Sequence, residues 1–237
     1  MTPPISDIFS SLLKAHGSRG WWPLRELRRQ DPQSGGYHPG DFSLPVSAAQ
    51  RFEIGVGAIL TQNTTWKQVE VCLDGLERAG LLAPEPLLLA PVQVIEKAIR
   101  PGGYFRQKAR KLCEYSRFFR QWDPEPPPRP ELLSVWGIGE ETADSILLYA
   151  YKQPFFVVDA YTRRLLERLF GEADPRYASL QEKLTKSFLH LEPVRRAQVF
   201  NEFHAQVVHQ SKTFCRSRPL CRGCPLESVC ASAGRLV

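Results

Sequence analysis

Between Pro130 and Asp159 the chain reads PELLSVWGIGEETADSILLYAYKQPFFVVD, and this stretch restricts the fold more than any other. The two glycines of Trp136-Gly137-Ile138-Gly139 permit a tight reversal and leave backbone N–H groups uncovered at a helix start. A short helix precedes the turn. After it, Ala143, Ile146, Leu147 and Ala150 recur at the spacing of one buried helix face. Asp159 then stands directly before AYTRRLLERLF, in the position of a helix N-cap. The stretch therefore predicts helix, glycine hairpin, helix, and a loop that delivers a carboxylate. A corner of this kind suits a phosphate, but a GxG turn alone specifies only a turn.

The rest of the chain predicts further helices. Ile5 to His16 carries Ile8, Leu12 and Leu13 on one side, and Ser47 to Leu60 carries Phe52, Val56, Ile59 and Leu60. Between them lie the aromatic pair Trp21-Trp22, which suits either the edge of a core or a stacking wall for a base, and a loop from Gln33 to Pro45 rich in glycine and proline. The apolar pattern stops at Thr61-Gln62-Asn63-Thr64-Thr65-Trp66, where hydroxyl and amide side chains offer caps for the next helix, Trp66 to Arg78. A helix from Pro91 to Ile99 leads to the turn at Gly102-Gly103-Tyr104. The helix after that turn sets Arg106, Lys108, Arg110, Lys111, Arg117 and Arg120 against Glu114 alone. Such a run is either a solvated face or a phosphate-contacting one. A proline-rich spacer, Asp123 to Pro130, delivers the chain to the hairpin, and after Asp159 helices near Tyr161 to Leu169, Tyr177 to Leu189 and Pro193 to Ser211 lead to the C-terminal cysteines.

Four cysteines fall in that last segment as Cys215-x5-Cys221-x2-Cys224-x5-Cys230. At such density in a reducing compartment they argue a metal site, and spacing alone leaves a four-thiolate zinc and a [4Fe–4S] cluster both open. Cys72 and Cys113 fall on apolar helix faces and suit packing. A chain of 237 residues, 43% hydrophobic and 24% charged, makes one large domain or two small ones, and its net charge of +6 favours a polyanionic partner. Pro84, Pro86, Pro91, Lys152 and Pro154 interrupt the apolar runs, so no membrane span is expected, and MTPPISDIFSSLLKAH lacks the layout of a secretory signal. A cytoplasmic, monomeric protein is the expectation.

Taken together, the hairpin, Asp159, the Gln-Asn segment and the cysteine run resemble the helix-hairpin-helix DNA glycosylases of the endonuclease III family, from about Trp21 to Cys230. The resemblance implies an all-α fold of two helical lobes. One is a helical barrel from residue 43 to 153 with the helix-hairpin-helix at about 130–151; the other combines residues 1–42 with 154–237 and a [4Fe–4S] loop at 215–230. It further implies double-stranded damaged DNA across the cleft between the lobes, with a nucleotide extruded toward a catalytic Asp159. Gln62, beside Asn63, would fill the gap left by the extruded nucleotide. Gly103, Tyr104 and Lys108 match the family's glycine-tyrosine-lysine pattern and, with Gly137, Ile138, Gly139, Thr142 and Arg163, would contact DNA. Cys215, Cys221, Cys224 and Cys230 would hold the cluster, although the first interval is one residue shorter than the family's. A monovalent cation on the hairpin carbonyls of Leu133, Val135 and Ile138 is a further implication.

The family's Schiff-base lysine is replaced here by Glu141, so the resemblance implies a monofunctional enzyme with weak or absent strand cleavage. A pocket of Glu141 with Trp66 and one of Trp21 or Trp22 suits a cationic base, and Trp-Trp-Pro with Leu-Thr-Gln-Asn-Thr resembles the 3-methyladenine branch. Two other readings stand beside it: a bifunctional enzyme for oxidised pyrimidines, and a non-catalytic module that holds damaged DNA. The catalytic assignment demands an Asp159 side chain that is accessible and not locked into an interior ion pair.

Overall fold

A computed structural model describes residues 3–171 and 176–234, and every regular element among them is helical. In chain order these are α1 (Ile5–His16), α2 (Arg25–Gln30), α3 (Ala48–Leu60), α4 (Trp66–Arg78), α5 (Pro84–Leu89), α6 (Val92–Ile99), α7 (Phe105–Trp122), α8 (Arg129–Ser134), α9 (Glu140–Ser145), α10 (Ala160–Phe170), α11 (Tyr177–Lys186) and α12 (Pro193–Thr213). A π-helical stretch, Ile146–Ala150, prolongs α9. None of the described helices is long and apolar enough to cross a membrane. The chain divides into two compact units, residues 43–153 and residues 1–42 with 154–237.

In the first of these units α3 is the central element. A capping box starts it: Ser47 Oγ accepts the Gln50 N–H at 3.2 Å, and Gln50 Oε1 accepts the Ser47 N–H at 3.4 Å. From Phe52 to Leu60 every residue of α3 is buried, against α4, α7, α9 and the π-helical stretch. Gly55 allows α7 to approach closely, since a Cβ there would stand 2.0 Å from Tyr115 Oη. The Tyr115 ring stacks on Phe52 with centroids 5.8 Å apart. Helices α5 and α6 cover the remaining flank of α7. The prolines at 84 and 86, which the sequence presents as interruptions, lie in the first turn of α5, where a missing N–H costs nothing.

Two ion pairs fasten this unit. Arg51 grips Asp123 through Nε at 2.5 Å and Nη2 at 2.9 Å. Arg129 on α8 grips Asp144 on α9 through Nε at 2.7 Å and Nη2 at 3.0 Å. The Asp144 side chain is fully buried, so this bidentate pair locks together the two helices that flank the glycine turn.

The second unit is built on α12, with α1 and α10 packed along it. Ile8 and Leu12 of α1, Leu165 and Leu169 of α10, and Phe200 and Phe203 of α12 are all buried. Phe156 closes the core edge-on against Phe200 and Phe203 at 5.3 and 5.5 Å. Glu202 is buried too, and three donors satisfy it: the Ser18 hydroxyl at 2.8 Å, the Arg19 N–H at 2.8 Å and Gln206 Nε2 at 2.6 Å.

Replacing Arg129 by Met removes the bidentate partner of the buried Asp144 carboxylate. Urea denaturation of Arg129→Met is expected to show a loss of about 3–5 kcal/mol; a variant as stable as the parent would show that the pair does not hold the hairpin.

Candidate active site and cysteine loop

The carboxylate at 159 caps α10. Its Oδ1 accepts both the Thr162 N–H, at 2.7 Å, and the Thr162 hydroxyl, at 2.9 Å. Its Oδ2 faces His204 Nε2 of α12 at 3.5 Å, and the Asp159 side chain retains 14% of its exposure. Burial is the strongest single influence on this carboxyl and pushes its pKa up. His204 and the Thr162 bonds together outweigh it and hold the group below the ordinary carboxylate value. The result is an anion kept in a largely dry position, with one oxygen engaged by the cap and the other by a single long contact. Thr162 and His204 carry no sequence signal for this role. They emerge only when α10 and α12 are packed.

Trp21 and Trp22 separate. Trp22 is buried in the core, whereas Trp21 is half-buried and meets the His204 ring edge-on at 5.7 Å. Of the two, Trp21 therefore stands beside the aspartate's partner. Arg163 is half-buried, with its guanidinium 5.8 Å from the Tyr177 ring.

In the other unit the polar segment meets the glycine turn. Gln62 Nε2 donates to the Gly137 carbonyl at 3.2 Å and to Thr142 Oγ1 at 2.9 Å, while Lys111 Nζ donates to Gln62 Oε1. Gly137, at φ +84°, leaves no room for a side chain, because a Cβ would lie 2.6 Å from the Lys111 stem. Next to it Arg110 lies over the Trp136 ring at 3.9 Å. Two cations of α7 thus clasp the turn, and Ile138 and Thr142 are buried beneath it. Val135 O accepts the Ile138 N–H at 3.0 Å. Gly139 and Glu141 are exposed, Glu141 in the first turn of α9, where a carboxylate also suits the helix dipole. Trp66 opens α4 and is half-buried; Asn63 is exposed in a left-handed conformation, φ 53°.

Gly103 and Tyr104 form a second exposed corner, with Tyr104 66% exposed. Lys108 does not join them. The side chain is 2% exposed, and its ammonium donates to the carbonyls of Leu60 and Gly102, both at 2.8 Å. Burial lowers its pKa. Lys108 is therefore an internal staple between the C-terminus of α3 and the turn before α7, not a phosphate contact. Its distance from Leu112 and Tyr115 along the helix places it on the buried stripe.

The four C-terminal cysteines line one pocket together with Leu165, Leu169, Phe214 and Leu226, and none is in a disulfide. Gln210 Nε2 donates to Cys224 Sγ at 3.0 Å and Arg168 Nη1 to Cys215 Sγ at 3.3 Å. Arg164 Nε adds a bond to the Cys215 carbonyl at 2.8 Å, and the N–H groups of Ala231 and Ser232 return to the C-terminal carbonyls of α10 at 3.2 and 3.1 Å. Among the described residues no three Cys, His, Asp or Glu side chains are placed to hold a single ion. The thiols ring a pocket without meeting at a point.

Residues 56–189, more than half of the chain, match the family described as HhH-GPD superfamily base excision DNA repair protein. A Methanocaldococcus jannaschii protein provisionally named a DNA repair glycosylase is 34% identical over 240 residues, covering 96% of each chain. The chain belongs to the HhH-GPD superfamily of base excision DNA repair glycosylases. Among solved structures, a non-covalent endonuclease III–DNA complex superposes with a TM-score of 0.71 at 19% identity, covering 98% of this chain and 95% of that one. The H. pylori 3-methyladenine DNA glycosylase bound to 1,N6-ethenoadenine superposes at 0.66 and 24% identity, covering 87% and 96%. At these identities both likenesses concern the fold, and the all-helical architecture of this glycosylase is theirs.

The internal role of Lys108 predicts that Lys108→Met leaves two buried carbonyls unpaired and costs about 2–6 kcal/mol in thermal denaturation. The slope of DNA affinity against salt concentration is expected to stay unchanged. A slope shallower by about one would restore Lys108 as a phosphate contact.

Proposed function

We propose that this chain is a monofunctional N-glycosylase that releases an alkylated purine, such as 3-methyladenine, from double-stranded DNA, with Asp159 as the catalytic carboxylate. The observation that carries the reading is a carboxylate held ionised despite burial, with Oδ2 outside the cap. Departure of a base from its sugar leaves positive charge on the anomeric carbon and ring oxygen, and a fixed anion in a poorly hydrated site stabilises that charge more than water does. Water supplies the nucleophile, because Glu141 stands where an amine would form an imine and a carboxylate cannot. An alkylated purine already carries positive charge, so its departure needs little help from a general acid. The aromatic face of Trp21, which stands beside His204, is the group proposed to receive it.

The donor set of the cysteine loop fits a [4Fe–4S] cluster. Four thiols spread around one largely apolar pocket suit a group with several iron corners better than a single zinc, whose thiolates crowd to roughly 3.8 Å of one another. Cys215, Cys221, Cys224 and Cys230 would hold it, while Arg168 and Gln210 already donate hydrogen bonds to the sulfurs of Cys215 and Cys224. With every iron bound by a thiolate the group would serve structure, and no step of base release is assigned to it.

One observation favours a second reading, a bifunctional enzyme. Lys111 presents a half-buried amine beside the glycine turn, and burial lowers its pKa, which favours the neutral, nucleophilic form. Borohydride trapping separates the two: an adduct lost in Lys111→Ala supports the bifunctional enzyme, and its absence supports hydrolysis.

Asp159→Asn tests the central claim, since asparagine is as good an N-cap as aspartate and the fold is expected to survive. Against a panel of alkylated and oxidised lesions, the variant is expected to release base at least about 10²–10³ times more slowly, with binding retained. Equal turnover by the two proteins would remove Asp159 from the chemistry.

A further inference from the structure

Asp159 has one neighbour that the reaction as described leaves without a role. His204 lies on α12, 6% exposed, with Nε2 3.5 Å from Asp159 Oδ2. Its ring is fixed edge-on from two sides, by Trp21 at 5.7 Å and 83° and by Phe156 at 6.2 Å and 89°. The ring is thus packed on both sides, and Thr162 orients the carboxylate by holding Oδ1 twice.

We propose that His204 is a positioning residue that keeps Asp159 ionised and aims its Oδ2 at the reacting sugar, an assignment that rests on Asp159 being the catalytic carboxylate. At 3.5 Å the contact is too long to use up the lone pairs of Oδ2, so that oxygen stays available to the developing positive charge. The groups facing the pair can be named from each packed element. Thr162 comes from α10, His204 from α12, and Trp21 and Phe156 contribute uncharged rings. Tyr177 of α11 takes the Val158 N–H at 3.4 Å, and Arg163 lies over the Tyr177 ring. His204 is thus the one group among these that bears on the carboxylate through its charge.

The sign follows. The active form is the anion, and burial favours the neutral acid. The imidazole beside Oδ2 opposes this and, with the Thr162 bonds, holds the carboxyl below its ordinary value. Removing the imidazole leaves burial dominant, and the pH below which Asp159 is protonated rises.

The experiment is the pH profile of single-turnover base release by the intact protein, together with a titration of the Asp159 carboxyl followed by 13C NMR. His204→Phe keeps the ring packing and loses the nitrogen; His204→Gln restores an N–H. His204→Phe is expected to move the acidic limb upward by about one pH unit, so that release about one pH unit below the new midpoint falls roughly tenfold relative to the plateau. His204→Gln is expected to return the limb toward its original position. A purely structural histidine would instead lower the rate by one factor at every pH, or change nothing, and either result overturns the proposal. Should His204→Phe fail to fold, His204→Asn, too short to reach Oδ2, replaces it under the same criteria. If the parent protein releases no base from any lesion, the glycosylase reading falls. The NMR midpoint then still decides the histidine: a rise in His204→Phe supports its hold on Asp159, and an unchanged midpoint refutes it.

Discussion

A carboxylate withdrawn from water normally takes up a proton, and the architecture around Asp159 exists to prevent that. Desolvation is the largest influence on the group, yet the balance ends on the side of the anion. The balance depends on two helices meeting at the right height. Helix α10 supplies its first-turn N–H and the Thr162 hydroxyl to Oδ1, and α12 supplies His204 to Oδ2. The cap engages Oδ1 and His204 faces Oδ2, and together they outweigh burial. The packing of α10 on α12 is therefore an electrostatic requirement as well as a hydrophobic one.

The same pair of helices carries the cysteine loop at its other end. Arg164 and Arg168 of α10 bind the Cys215, Arg216 and Ser217 carbonyls, Ser232 and Ala231 return to the last carbonyls of α10, and Gln210 of α12 reaches Cys224. The loop thus clamps the C-terminal ends of the helices whose other parts set Asp159 against His204. A group bound by the four thiols would stiffen this clamp from inside the pocket. Such a group would then bear on the site through the helical frame alone, with no share in the chemistry.

Much of this was legible in the chain. The spacing of Phe52, Val56, Ile59 and Leu60 announces α3, and the position of Asp159 before an apolar-periodic run announces its cap. Charge and the family's glycine-tyrosine-lysine pattern both group Lys108 with its exposed neighbours, whereas its spacing from Leu112 and Tyr115 places it on the buried stripe of α7. Period outranks charge where the two disagree. Pro84 and Pro86 do interrupt the apolar run as far as a membrane span is concerned, yet both lie in the first turn of α5, where proline is at home. His204, Thr162 and the partners of Gln62 were not legible at all. Each contact closes across a packed interface or a cap geometry, and no local pattern distinguishes a histidine that faces a carboxylate from one that fills a core.

The Gln62 network bears on how a gap-filling side chain would work. In the free protein its amide is already engaged by Gly137, Thr142 and Lys111, so the role of filling a vacated position in a duplex requires exchanging those partners for an orphaned base. Each such bond is worth about 0.5–1.5 kcal/mol net, and an exchange of bonds for bonds costs far less than breaking them into an apolar space. What distinguishes the two states is the turn. Gly137 and Thr142 flank the hairpin, and Lys111 packs its stem where a Cβ at 137 would be. Two of the three bonds of Gln62, those to Gly137 and Thr142, end on the hairpin itself, so any exchange of partners by this side chain is an exchange made by the hairpin as well.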